Sequence, residues 1–141
     1  MSNISSPRYL MTLGMFIFGM GTAPYQSLMR SREWHHETSK RHGARDAAQF
    51  IGPGPETIQL SGLLVPELGA DIAAMDVLAD MAGTGETYPL IDGQGRILGH
   101  YRITRIEDEH LSIMAGGAPR HVGFRIELHR GDDLVDQGAG Q

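Results

Sequence analysis

No cysteine occurs among the 141 residues, and that absence removes disulfides, thiolate metal ligands and a cysteine nucleophile together. It suits a reducing cytoplasm, and any metal site would have to use His, Asp and Glu. Positive charge is not in excess either. Against 17 Asp and Glu stand 12 Lys and Arg, a formal net charge of -5, so the chain carries no general footprint for phosphate and nucleic acid is not a partner expected from charge. The most apolar run, YLMTLGMFIFGM, falls far short of the roughly 20 residues that span a bilayer, and no membrane anchor is expected. Arg8 before it and GTAP after it give a loose likeness to a signal peptide. Gly14 and Gly19 interrupt the run, however, and Phe16, Ile17 and Phe18 favour an extended strand apolar on both faces. Also missing are a G-x-S-x-G elbow, a P-loop and a strand-borne G-x-G-x-x-G; GPGP and DGQG read as turns rather than phosphate cradles. No repeat of solenoid or propeller length is visible.

What is present is the composition of one globular domain, 40% hydrophobic and 21% charged. A single domain over residues 1–133 is expected, with the acidic, glycine-containing stretch 134–141 as a flexible tail. ETIQLSGLLV sets Ile58, Leu60 and Leu64 against Thr57, Gln59 and Ser61, the alternation of a half-buried strand. In ADIAAMDVLADMAG the period changes: Ile72, Met75, Leu78 and Ala82 share one helical face, Asp71 lies in the first turn and Gly83 can cap the end. TYPLI and RILGHYRITRIED read as strands joined by a DGQG hairpin turn. HVGFRIELHR alternates cleanly, with Val122, Phe124, Ile126 and Leu128 on one face, and MAGGAPR before it is a hairpin tip. In the first half, MTLGMFIFGM and SLMRSREWHHETS are expected as a strand pair joined around GTAPYQ, and KRHGARDAAQFIGPGP as a polar link. The residues therefore imply antiparallel β structure with one helix packed on it.

Two clusters invite a chemical reading. REWHHETSKRH holds three of the seven histidines and the only tryptophan. A helical H-E-x-x-H zinc site fails here, because counting from His36-Glu37 the second ligand falls on Lys40, a cation without a free lone pair at neutral pH. On a strand, His35 and His36 point to opposite faces; a Glu33/His35/Glu37 site remains the metal alternative, beside a solvated or subunit-facing strand anchored by Trp34. EDEH, Glu107 to His110, contains a carboxylate and a histidine for proton transfer, or is a solvated strand end. Met11, Met15 and Met20 lie with Phe16 and Phe18 in a strand that fits either a core or an adaptable interface.

Four blocks in order, TAPYQSLMRSREWHHE, QFIGPGPETIQLSGLLVPEL, YPLIDGQGRILGHYRI and GGAPRHVGFRIELHR, resemble the GpU family of phage tail proteins over roughly residues 9 to 133. The family-like positions are Trp34, Gly52, Gly54, Gly62, Pro66, Gly95, Leu98, Gly99 and Pro119-Arg120. The resemblance implies a mainly β (α+β) fold: a tail-tube-like split β-barrel or two-sheet sandwich of antiparallel strands with one flanking α-helix. It also implies a non-enzymatic structural part of a contractile phage tail or prophage-derived injection machine. The place implied is the baseplate end of the tube, in a homo-oligomeric, sixfold ring between tube and hub. Genes of this family usually lie between the tape-measure and hub genes, so the tape-measure protein is a further partner; DNA passes only in transit, no cofactor is implied, and assembly takes place in the host bacterial cytoplasm. A tail terminator at the other end of the tube is the alternative within the same machine, and a small histidine-using metal-binding protein the alternative outside it. Three regions are expected at subunit contacts: the strand Met11 to Met20 with Phe16 and Phe18, the link Lys40 to Pro55 with Arg41 and Arg45 beside Trp34, and the tip with Gly116, Gly117 and Pro119.

Overall fold

In β4 (Ala47–Leu64) and β7 (Pro119–Arg130), apolar residues at every second position make one face of a sheet insoluble, and the two strands bury that face together. Ile58 lies opposite Leu128, Leu60 opposite Ile126 and Leu64 opposite Val122, all six fully buried. Each such side chain contributes about 1.5–3 kcal/mol by leaving water. β6 (Ile97–Ile113) adds Tyr101 and Ile103 on the far side of β7, and β5 (Tyr88–Asp92) adds Leu90. The computed structural model describes residues 10–19, 22–39, 43 and 47–131. Within them the strands form one antiparallel sheet in the order β2-β1-β5-β6-β7-β4-β3, with β1 at Met11–Leu13, β2 at Phe16–Phe18 and β3 at Tyr25–Ser39. The acidic tail 134–141 lies outside the described residues.

The sheet is curled. Its two terminal strands, β2 and β3, stand six strand spacings apart in the order, about 29 Å if the sheet were flat. Yet the rings of Phe18 on β2 and Tyr25 on β3 lie edge to face with centroids 6.3 Å apart. Only residues 19–24 join the two strands, and Thr22 pins this link: its hydroxyl accepts from the Gly19 amide at 3.0 Å and donates to the Ile17 carbonyl at 2.5 Å. Of the two expected forms, the single curled sheet is the split barrel. Gly62 permits the corner, since a Cβ there would sit 2.5 Å from the Pro24 carbonyl oxygen and 2.9 Å from Tyr25 Cα.

The helix α1 (Ala73–Gly83) covers the open side and packs on β6, burying Ala74, Met75 and Leu78. Asp71 accepts from the Ala73 amide at 3.0 Å just ahead of it. The left-handed residue that ends the helix is Gly85 (φ 73°) rather than the expected Gly83, because Thr84 still holds helical dihedrals. The DGQG turn forms as expected: Asp92 Oδ1 accepts from the amides of Gln94 and Arg96, both at 2.9 Å.

Four expectations are corrected. The run Met11 to Met20 is not one strand: it turns at Gly14-Met15, so that Met11 pairs with Phe18 and Leu13 with Phe16. Its neighbour is β5, and β3 pairs instead with β4. Most of the supposed polar link is strand, because β4 begins at Ala47 and runs through GPGP. Prolines are tolerated there since that part of β4 pairs only with β3, so a missing donor leaves no second ladder unsatisfied. Finally β6 continues through Glu107–His110 to Ile113, carried by pairing with β7 although none of its side chains beyond Ile103 is fully buried.

Candidate assembly interface

The feature that sets this chain apart from a plain curled sheet is an arm. The last β4–β7 pair is Thr57 with His129; from Glu56 back to Ala47, β4 pairs only with β3, and the two strands leave the sheet together. Seven residues of β3 beyond Arg32 carry the arm about 20–25 Å away from the sheet. Two register shifts, between Arg32 and Trp34 and between His35 and His36, each put an extra residue on β4, which bends and twists a ribbon. The arm exposes large apolar side chains: Trp34 at 58%, Phe50 at 57% and Ile51 at 57%, with Met29 exposed nearer its base. Its outer edge, β3, runs fifteen residues without proline or glycine and ends the sheet order. Such an edge is an open template for another strand.

At the arm's base, side chains from three other strands, β3, β6 and β7, converge on Glu56 of β4. Its Oε2 accepts from Arg30 Nη2 at 2.6 Å, from Arg30 Nε at 2.9 Å and from the Tyr101 hydroxyl at 2.5 Å, and its Oε1 accepts from Arg130 Nη1 at 3.1 Å. Burial, the largest single influence, pushes the Glu56 carboxyl up, but the bonds from Tyr101, Arg30 and Arg130 together outweigh it and hold the group below its ordinary value. Burial first, and the bond to Glu56 second, push the Tyr101 phenol up to about 12.

The signs give a pH window. Glu56 is depressed, so its contribution is present above the ordinary 4.5 and lost as pH falls through the folded value. Tyr101 is raised, so its contribution is complete below 10.0 and lost as pH rises to about 12. Urea unfolding across pH is therefore expected to show an alkaline fall over that interval, and Tyr101→Phe to reduce it, the remainder coming from Tyr25, whose phenol is also pushed up, by burial first and by the Asp92 charge second. An alkaline fall unchanged in Tyr101→Phe would contradict the assignment.

A second surface lies on the opposite side of the strand order. Between β2 and α1 runs an apolar groove of about 480 Å³ lined by Met15, Phe16, Ile17, Ala74, Val77 and Met81, with Thr22, Asp71 and Ala73 at its border. Met15 is 96% exposed, and Ile17 and Val77 nearly half exposed. The β6–β7 tip, by contrast, lies at the other end of the sheet from the arm, next to the Leu64 end of β4. There Gly116 and Gly117 are exposed at positive φ, Pro119 opens β7 opposite Ile113, and Ile113 and Met114 are exposed.

The expected contact residues separate accordingly. Met11, Phe16 and Phe18 belong to the subunit's own core, at 2%, 7% and 0% exposure, and of the two roles left open for that run they take the internal one; Phe16 only floors the groove. Trp34 stands on the arm. Lys40, Arg41 and Arg45 lie in the connection between β3 and β4, outside the described residues. Met15 and Ile17 fall within the expected region Met11 to Met20 and Phe50 and Ile51 within the expected link Lys40 to Pro55, although none of the four was singled out as a contact; Val77 lies outside all three regions. A signal for two of them existed: in MFIF, alternation that buries Phe16 and Phe18 must expose Met15 and Ile17.

The chemical candidates do not converge. Among the described residues no group of three or more His, Asp or Glu side chains is placed to hold a metal ion. The His36 ring packs edge to face on Phe50, centroids 5.4 Å apart, while a Cβ at Gly54 would meet His35 Nε2 at 2.9 Å, so His35 lies across the β4 backbone. In EDEH, His110 Nε2 is bonded to Asp108 Oδ2 at 2.8 Å on the exposed face of β6. The depression beside it, about 600 Å³, is lined by Gly62, Phe124, Glu107, Glu109 and Arg125 and brings no serine or threonine hydroxyl to the pair.

A family model described as Phage P2 GpU matches residues 14–133. The chain belongs to this family of phage tail proteins. The GpU chain is 29% identical over 134 residues to a probable tape measure protein of Halomonas phage phiHAP-1; the match covers 94% of this chain and 15% of that much longer protein. In fold it is similar to a chain of the tail of an empty GTA particle determined with C6 symmetry, with a TM-score of 0.57, 12% identity and coverage of 94% and 96%. It is also similar to the tube-terminating cap of the anti-feeding prophage, with a TM-score of 0.51, 12% identity and coverage of 92% and 88%. The curled antiparallel sheet with one helix is thus a fold shared with these tail proteins.

Proposed function

We propose that this GpU chain is a non-enzymatic structural protein that forms a ring at the baseplate end of a tail tube and links the tube to the hub. The observation that carries this reading is the long edge of β3 continued into an apolar arm: among the described residues of one subunit neither has a partner, and a neighbour in a closed ring covers both. Sixfold symmetry is supported by the C6 tail that shares the fold. Contact with the tape-measure protein is supported by the Halomonas phage relative, where a similar segment is part of a chain of that description. The place of the protein is the tail of a virion or tail-like particle, with assembly in the host cytoplasm and no cofactor.

A tube-terminating cap is the second reading, favoured by the likeness to the anti-feeding prophage cap. Affinity purification of the tagged chain from cells assembling the particle separates the two. Recovery with tube and hub proteins is the expected result; recovery with head-completion proteins instead would give the cap reading.

A further inference from the structure

We propose that Arg30, Glu56, Tyr101 and Arg130 form a latch that aims the β3–β4 arm, and that this aim fixes the rotation from one copy to the next in the ring. The second clause rests on the ring reading; the first does not.

The latch is a polar layer that closes one end of the core. On β4 the core-facing row runs Leu60, Ile58 and then Glu56, and on β7 it runs Ile126, Leu128 and then Arg130. On β6, Ile103 stands opposite Leu128, and Tyr101 opposite Arg130. On β3, Arg30 stands opposite Ile58. Each of four neighbouring strands thus supplies one polar side chain, and the three donors meet on the Glu56 carboxylate at 2.5 to 3.1 Å. A Cβ at Gly99 would sit 3.0 Å from Arg130 Cζ, so this glycine leaves the guanidinium space beside β6.

Position makes the layer a latch. β7 ends at Arg130 and the last β4–β7 pair is Thr57 with His129, so Glu56 is the first residue of β4 beyond the body of the sheet. From there the arm is a two-stranded ribbon, which by itself has little to fix its bend or twist. The bonds from Tyr101 and Arg130 tie the root of the ribbon to β6 and β7. Charge-assisted bonds that converge on one carboxylate from different strands hold that root in one direction. Where the arm reaches a neighbour, its direction sets the angle between copies, and a fixed angle makes a ring close at one copy number. An arm aimed beforehand also removes an ordering cost from assembly.

Because the chain has no cysteine, spin labels can be placed on the full protein at two exposed sites alone, Glu37→Cys on the arm and Asp80→Cys on α1. Labelled chains are diluted in unlabelled ones, so that only distances within one subunit are read. One narrow distance distribution is expected for the otherwise native chain. Glu56→Gln is expected to lose the narrow peak. Tyr101→Phe, which keeps the ring and removes one bond, is expected to broaden it, and carries the test should Glu56→Gln fail to fold by circular dichroism. Leu90→Ala opens a cavity on β5, away from the latch, and is expected to destabilise the fold yet keep the peak. A peak that stays narrow in the latch variants, or that broadens equally in Leu90→Ala, would overturn the inference. Native mass spectrometry of the same proteins reads the second clause, with one copy number expected for the native chain and a spread for the latch variants. The same single copy number in all of them would overturn the link between aim and closure. A native chain that is monomeric removes the ring reading and that link, while the distances still decide whether the latch aims the arm.

Discussion

Replacing Phe18 by alanine is expected to cost about 3–5 kcal/mol of folding stability, the range for deleting a fully buried aromatic ring, and to lower Tm by roughly 15 °C in a domain of this size. The effect is large because of where the ring stands. Phe18 is 0% exposed, packs on Phe16 at 4.9 Å and meets Tyr25 edge to face at 6.3 Å, so it joins the two terminal strands of the sheet. The hairpin that carries it has only three residues per strand and cannot hold its place by backbone pairing alone. Urea unfolding with and without the substitution measures the loss. A cost below about 1 kcal/mol would mean that the curl does not depend on this contact.

Replacing Glu56 by glutamine is expected to cost about 3 kcal/mol, because removal of one partner leaves the charges of Arg30 and Arg130 facing each other in a largely buried place. The side chain of Glu56 is only 12% exposed, and an amide accepts on one atom where the carboxylate accepts on two. An exposed pair provides the contrast: Arg105 and Glu107 lie 2.6 Å apart, but at 67% and 41% exposure Arg105→Ala is expected to cost no more than about 0.5–1 kcal/mol. Glu56 is also the residue at which β4 leaves the sheet, so the same substitution should loosen the arm. Amide exchange is expected to speed up over residues 33–53 while β7 stays protected. Uniform acceleration across the chain would contradict a local role for Glu56.

The centre of the fold was legible because burial there obeys a simple period. Ile58, Leu60 and Leu64, and Val122 through Leu128, alternate so regularly that one face can only be core, and Met75 and Leu78 mark the helix in the same way. The arm was not legible, since strands wet on both faces carry no period to read. Phe50 and Ile51 are neighbours in sequence and both exposed, and GPGP reads as a turn until it is seen that β4 there has a single partner. Pairing was misjudged for a related reason: Gly14 gave the first strand a turn inside an apolar run, and a turn without polar residues leaves no mark in the hydropathy. Glu56 escaped notice because its partners lie 26, 45 and 74 residues away along the chain. The histidine cluster shows the converse, a conspicuous composition whose side chains the strand geometry sends to different neighbours, His36 to Phe50 and His35 over Gly54.

The most direct test of the ring is the mass and shape of the purified full chain, by native mass spectrometry and negative-stain imaging of the same sample. A closed oligomer with a central opening, six copies in mass, is the expected result. A chain that remains monomeric at high concentration and fails to join purified tube or hub protein would contradict it.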